Sequence, residues 1–164
     1  PTFDGKSYSL RELAENDKEI IVYACTGSGK VVAAKATAKK TRANAELVRV
    51  ILDNGAEIRC TPDHKFMLRD GSFVEAKDLK SGESLMPLYR ETDKDGYVLV
   101  QQNYSGRMQK AHWIVARSGL LGDVPGFVGE KTVIHHKNFD AADNRPENLE
   151  FMSVLAHSAF HRGL

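Results

Sequence analysis

The sequence predicts an α+β chain, with a mostly-β module over about residues 1–90 followed by a smaller mixed module over about 91–164. Three observations carry this. From residue 20 to about 88, short β-branched and apolar runs alternate with turn signals, the mark of successive hairpins. The polar run YRETDKDG, residues 89–96, then interrupts the apolar pattern and places a boundary near 88–95. Beyond it, four of the chain's six histidines fall in VIHHKNFDAADNRPENLEFMSVLAHSAFH, residues 133–161.

At 164 residues, 41% apolar and 27% charged, the chain suits one ordinary domain or two small ones. No apolar run reaches the ~18 residues of a membrane span, and no signal-like segment opens the chain, so a cytoplasmic protein of microbial or phage origin, with no membrane partner, is expected. Cys25 and Cys60 make neither a disulfide framework nor a Cys-x-x-Cys pair and read as core residues. A net charge of +1 offers no electrostatic case for nucleic acid. Lys35, Lys39, Lys40 and Arg42 do cluster, but as a solvated loop. DNA binding must therefore rest on chemistry.

In chain order, SLRELAEN sets Ser9 three residues before Glu12, a capping box that opens a short helix. EIIVYAC and VVAAKATA read as strands around the turn TGSGK. That turn is no phosphate loop: Ala24 stands where the first glycine is needed and Val31 where a hydroxyl must reach magnesium. ELVRVIL and AEIRC flank Asn54-Gly55, which predicts a type I′ hairpin with positive φ at both residues. KFMLR and SFVEA form another hairpin around Asp70-Gly71. In the second half YVLVQQ reads as a strand, KAHWIVARSG as a helix, the stretch through Pro125 and Gly129 as a loop, and the chain from about Ser153 as a helix.

Val133 and Ile134 belong in a strand, whose successive residues face opposite ways, so His135 and His136 are expected to do different work. His157 and His161 share a helix face at i, i+4, as two ligands of one ion must. With His135 they give three imidazoles and leave coordination positions open, as a catalytic metal requires. His136 can then serve as a general base, its ordinary pKa of about 6.5 leaving a useful neutral fraction. Between them, Asn144 and Pro146 mark a turn, Asn148 has an amide able to hold the loop, and Leu149 and Phe151 supply packing.

The pattern His-His, Asn-Arg-Pro-Glu-Asn-Leu, His-x-x-x-His resembles the HNH motif, the ββα-metal (His-Me finger) fold of homing endonucleases and DNase toxins, over about residues 93–162. The resemblance implies a nuclease module in which His135 and His157 bind a divalent ion and His161 is a third ligand. It makes His136 the base and Asn148 the loop-ordering residue. The implied reaction is hydrolysis of a phosphodiester in double-stranded DNA with Mg²⁺ or Mn²⁺, Zn²⁺ also being suited to three imidazoles.

In the first half, CTPDHKFMLRDGSFVEAKDLKSGESLMPL resembles the Hint domain of inteins and hedgehog-type autoprocessing proteins, with Glu83 where that family's pattern has Asp. The likeness covers residues 1 to about 88 and assigns Thr61 and His64 to the Thr-x-x-His pair acting on the peptide bond at the N-terminal splice junction. Pro1 is not a nucleophile and HSAFHRGL is not a splicing terminus, so the chain by itself is not expected to splice. A flanking extein or a C-terminal intein segment is the implied partner. The favoured reading is an intein-associated HNH homing endonuclease. One alternative makes the Hint-like half the active part and the nuclease inactive, and another makes the histidines a structural zinc site in a DNA-interaction module.

Overall fold

The computed structural model describes residues 2–126, 129 and 131–163. Helix α1, Leu10–Asn16, begins at the expected capping box: Glu12 N donates to Ser9 Oγ at 3.2 Å and Ser9 N to Glu12 Oε2 at 2.9 Å. Asp17, left-handed at φ 43°, ends it. Strands β1, Ile20–Cys25, and β2, Val31–Ala36, pair antiparallel. Their turn closes through Gly29 N to Thr26 O at 2.8 Å and Thr26 N to Lys30 O at 2.9 Å, a hairpin and not a phosphate cradle.

Strands β3, Val48–Ile51, and β4, Glu57–Cys60, form the Asn-Gly hairpin. Its turn differs from the expected type I′: Gly55 has φ 80° but Asn54 keeps a negative φ. Two residues beyond the strand ends, Leu52 and Ala56, lengthen the loop, and Leu52 N donates to Ala56 O across it, so one left-handed residue suffices to reverse the chain. The next hairpin joins β5, Lys65–Met67, to β6, Phe73–Glu75. Gly71 in its turn, at φ 88°, sits so close to Gly27 that a Cβ would lie 2.1 Å from the Gly27 carbonyl oxygen. Only glycine fits there, and the contact ties this turn to that of β1 and β2.

Three strands in order β7, Arg90–Thr92; β8, Val98–Gln101; and β9, Met108–Lys110, make the largest sheet. The polar run read as an interruption therefore contains β7, an exposed edge strand with no apolar alternation to reveal it. Helix α2, Ala111–Arg117, follows, then the antiparallel pair β10, Thr132–His136, and β11, Leu149–Ser153. Helix α3, Val154–Arg162, closes the described chain, with Ser153 Oγ accepting from Ala156 N at 3.2 Å. Sequence inspection took residues 149–153 for loop packing and missed β9, because both strands are short.

The core draws on both sides of residue 90. Phe3, Val31 and Ala33 are buried together with Val100, Ala111, Ile114, Val115, Ala116, Ile134 and Leu149. Each large apolar member is worth about 1.5–3 kcal/mol of burial. Buried polar groups add direction. The Gln102 side chain accepts from Val31 N at 2.9 Å and donates to Val31 O at 3.2 Å, as a strand neighbour would. Ser118 Oγ accepts from Ala33 N at 2.9 Å, and Asn144 N donates to Phe3 O at 2.6 Å. Cys25 and Cys60, expected in the core, are only half-buried, since they lie at strand ends where packing is incomplete. No helix among the described residues is long and apolar enough to cross a membrane.

Candidate functional site

The strand β10 separates the paired histidines as its pleat requires. His135 turns toward α3, its ring centroid 5.3 Å from those of His157 and His161, and is walled by Phe160 at 4.9 Å and Phe139 at 5.4 Å. On α3 the i, i+4 spacing brings His157 Nε2 and His161 Nε2 to 3.2 Å. One ligand nitrogen from each of the three lies within 4.8 Å of the others.

This donor set fits a divalent ion. His135 Nε2 is buried with no hydrogen-bond partner, which a coordinate bond would satisfy. Two nitrogens ~2.1 Å from one ion, at right angles, sit about 3 Å apart, close to the spacing of His157 and His161. Burial, then repulsion from neighbouring imidazoles, lowers the His157 pKa. Burial likewise leads the lowering at His135, against an opposing pull from Glu150. Both effects favour neutral rings with lone pairs to give.

His136 faces the other way and is 6% exposed. Its Nε2 lies 3.2 Å from Asn144 Oδ1. The His112 ring meets it edge-to-face at 5.2 Å, and Tyr97 lies 5.9 Å away, its own face covered by Lys110 Nζ at 3.4 Å. Burial lowers the His136 pKa, partly offset by the Asn144 contact and by Asp143 and Asp140. Burial, and at low pH the charge of a protonated His136, push His112 down to about 3, so it stays neutral throughout the physiological range. Tyr97 also borders a surface cleft with His157 and His161, through which the histidine cluster meets solvent.

Asn148 holds the connecting loop. Its Nδ2 donates to Asp143 O at 2.7 Å and Asn138 Oδ1 at 2.8 Å, and its Oδ1 accepts from Asn138 N at 3.0 Å. Asp143, 5% exposed, accepts from Arg145 Nε at 2.9 Å and Nη2 at 2.7 Å and from Asn138 Nδ2 at 3.0 Å. The guanidinium is the main cause holding its carboxyl below the ordinary range. Sequence inspection missed His112, Tyr97, Asn138 and Asp143, and saw Asn144 only as a turn marker. The Asp-Asn-Arg run was the available signal for the loop network, whereas nothing local marked His112 or Tyr97.

Thr61 and His64 lie on a separate loop after β4. His64 N donates to Thr61 O at 3.0 Å, and the turn is clamped by Ala76 N to His64 O at 2.8 Å and Lys77 N to Pro62 O at 3.0 Å. Between them Asp63 pairs with Arg42 at 2.6 Å. The Thr61 side chain, foremost, and Arg42 bring Asp63 down to about 2. Arg42 is thus engaged by this loop, while Lys35 of the same basic cluster pairs with Glu19 at 2.8 Å. The His64 ring is exposed and stands edge-on to Phe66 at 5.1 Å.

Over 175 aligned residues the chain is 38% identical to the B subunit of DNA gyrase from Synechocystis sp. (strain ATCC 27184 / PCC 6803 / Kazusa). The alignment takes in 97% of this chain but only 16% of that protein, so the chain spans a small part of its relative's length. A family model described as "Intein splicing domain" matches residues 3–155. That match runs from Phe3 in the shared core, through the Thr61–His64 turn, into the first residues of α3, and on it the chain belongs to the intein splicing domain family.

Proposed function

We propose that the chain is part of an intein, acting in protein splicing through its Thr61–His64 loop, and that the ββα unit of β10, β11 and α3 serves as a one-metal DNA endonuclease. The family match over residues 3–155 carries the splicing reading. Alignment of nearly the whole chain to only 16% of a much longer gyrase protein supports an intervening sequence within a host protein.

In the splicing step, a side-chain nucleophile at the upstream junction attacks the preceding carbonyl carbon. An ester or thioester forms, the C–N bond breaks, and the departing nitrogen takes up a proton. His64 donates that proton and Thr61 orients the scissile carbonyl. The turn, held by three backbone hydrogen bonds and the Asp63–Arg42 pair, keeps both side chains on one short segment. The flanking extein and a C-terminal intein segment are the partners this reading requires. Expression of the uninterrupted reading frame tests it: mass spectrometry should find joined flanks and an excised intein, and His64→Ala should leave unspliced precursor. A precursor that never rearranges rejects it.

The nuclease reading is favoured by one observation, that His135, which has a buried and unpaired Nε2, brings a ring nitrogen within 4.8 Å of one from His157 and one from His161. These three residues would hold Mg²⁺, Mn²⁺ or Zn²⁺, which when bound supplies positive charge against the scissile phosphate and the leaving 3′ oxygen. His136, neutral in its buried position, takes the proton of the attacking water, and Asn148 keeps the loop in shape. The partner is double-stranded DNA. Residues 1–90 and 91–164 are then the splicing and nuclease portions, packed on one core. Cleavage of plasmid by the wild type with Mg²⁺ or Mn²⁺, and its loss in His136→Ala, is the expected result; undiminished cutting by that variant rejects the assigned base. The zinc-only alternative fares worse, because three imidazoles do not close a four-coordinate structural site and Cys25 and Cys60 lie on β1 and β4.

A further inference from the structure

The Asn144 amide is oriented without ambiguity by its neighbours. Its Nδ2 lies 2.9 Å from Ala142 O and 3.5 Å from Ala141 O, and a carbonyl can only accept, so the NH₂ end must point there. Exchanging the two ends would set the amide oxygen against those carbonyls. Oδ1 is therefore the atom 3.2 Å from His136 Nε2, and an amide oxygen can only accept as well. In the neutral imidazole the nitrogen facing it must carry the hydrogen.

We propose that Asn144 is the positioning residue for His136: its Oδ1 pins the ring hydrogen on Nε2 and leaves Nδ1 as the nitrogen able to take a proton. The assignment of the hydrogen stands on geometry alone; its use in deprotonating water rests on the nuclease reading. Asn144 is suited to the task because it cannot drift. It is 1% exposed, and its own N–H donates to Phe3 O at 2.6 Å, so the residue that orients the base is anchored to the fully buried Phe3. The His112 ring packs edge-to-face against the same imidazole at 5.2 Å.

Long-range ¹H–¹⁵N correlation spectra of the neutral His136 ring test this in the metal-free chain and with Mg²⁺. The wild type should show a protonated Nε2 and a bare Nδ1. Asn144→Asp keeps an acceptor toward the ring while losing the donor toward Ala142 O, and should keep the same tautomer. Asn144→Ala removes the acceptor and should move hydrogen onto Nδ1, with kcat for plasmid cleavage falling by ~10²-fold and KM changing by less than about threefold. Hydrogen on Nδ1 in the wild type or in Asn144→Asp overturns the proposal, as does an unchanged tautomer in Asn144→Ala. If Asn144→Ala fails to fold, the other two spectra decide. Nε2–H in a wild type that cuts no DNA with any metal rejects the nuclease reading and supports the tautomer assignment; hydrogen on Nδ1 in an active wild type does the reverse.

Discussion

His157 and His161 present their Nε2 atoms to each other at 3.2 Å on one face of α3, and a ring nitrogen of His135 lies within 4.8 Å of a nitrogen on each. Between neutral rings that distance is a hydrogen bond in which one Nε2–H donates to the other ring's Nε2. A shared cation would replace that single bond with a coordinate bond to each ring.

The first expected outcome concerns that cation. Calorimetric titration with Zn²⁺ and Mn²⁺ should show binding that is tighter for Zn²⁺, as imidazole donors favour. His135→Ala and His157→Ala should each weaken it by ~10²-fold or more, whereas His136→Ala should bind as the wild type does. Equal loss in His136→Ala would remove the division of labour between the adjacent histidines.

Removing the Asn148 side chain as Asn148→Ala deletes three loop hydrogen bonds and leaves the Asp143 carbonyl without that donor. At ~1 kcal/mol for each bond, a loss of about 3 kcal/mol is expected in urea denaturation. A change under ~0.5 kcal/mol would mean that the loop holds its shape by other contacts.

His112 makes stability depend on pH. Its folded pKa, about 3, lies below the ordinary 6.5, so the unfolded chain binds the extra proton between those values. Its contribution is complete above pH 6.5 and declines as pH falls toward 3, by at most ~1.4 kcal/mol per unit. His112→Leu should flatten the wild-type slope between pH 6.5 and 4, read from midpoints of urea denaturation. An unaltered slope in that variant would assign the dependence to other groups.

The two turns that meet at Gly27 and Gly71 give a backbone test. Gly71→Ala places a methyl where 2.1 Å separates it from a carbonyl oxygen, at a φ of 88° that L-residues avoid. Destabilisation by ~2 kcal/mol or more is expected from thermal denaturation, against ~1 kcal/mol for Gly55→Ala, which has a similar φ and open space around it.

Local signals were sufficient for the capping box at Ser9, the three hairpins of the first half and the face shared by His157 and His161. Each depends on residues a few positions apart, whose spacing alone brings them together. The strand β7 escaped notice because an exposed edge strand has no buried face to impose alternation, and β9 and β11 because three to five residues give a period little room to show.

By itself, then, the sequence determined which residues could be ligands, which neighbour could be a base, and that the two must point apart across a strand. The tertiary structure alone decided the rest: that His112 and Tyr97 flank His136, that Asn144 reaches its ring, and that Phe3 and Val31 share a core with Ile134 and Leu149. The physical reason is range. Helix and strand periodicities act over a few residues, whereas a buried histidine's surroundings are set by whichever distant segments must come together to exclude water from the core.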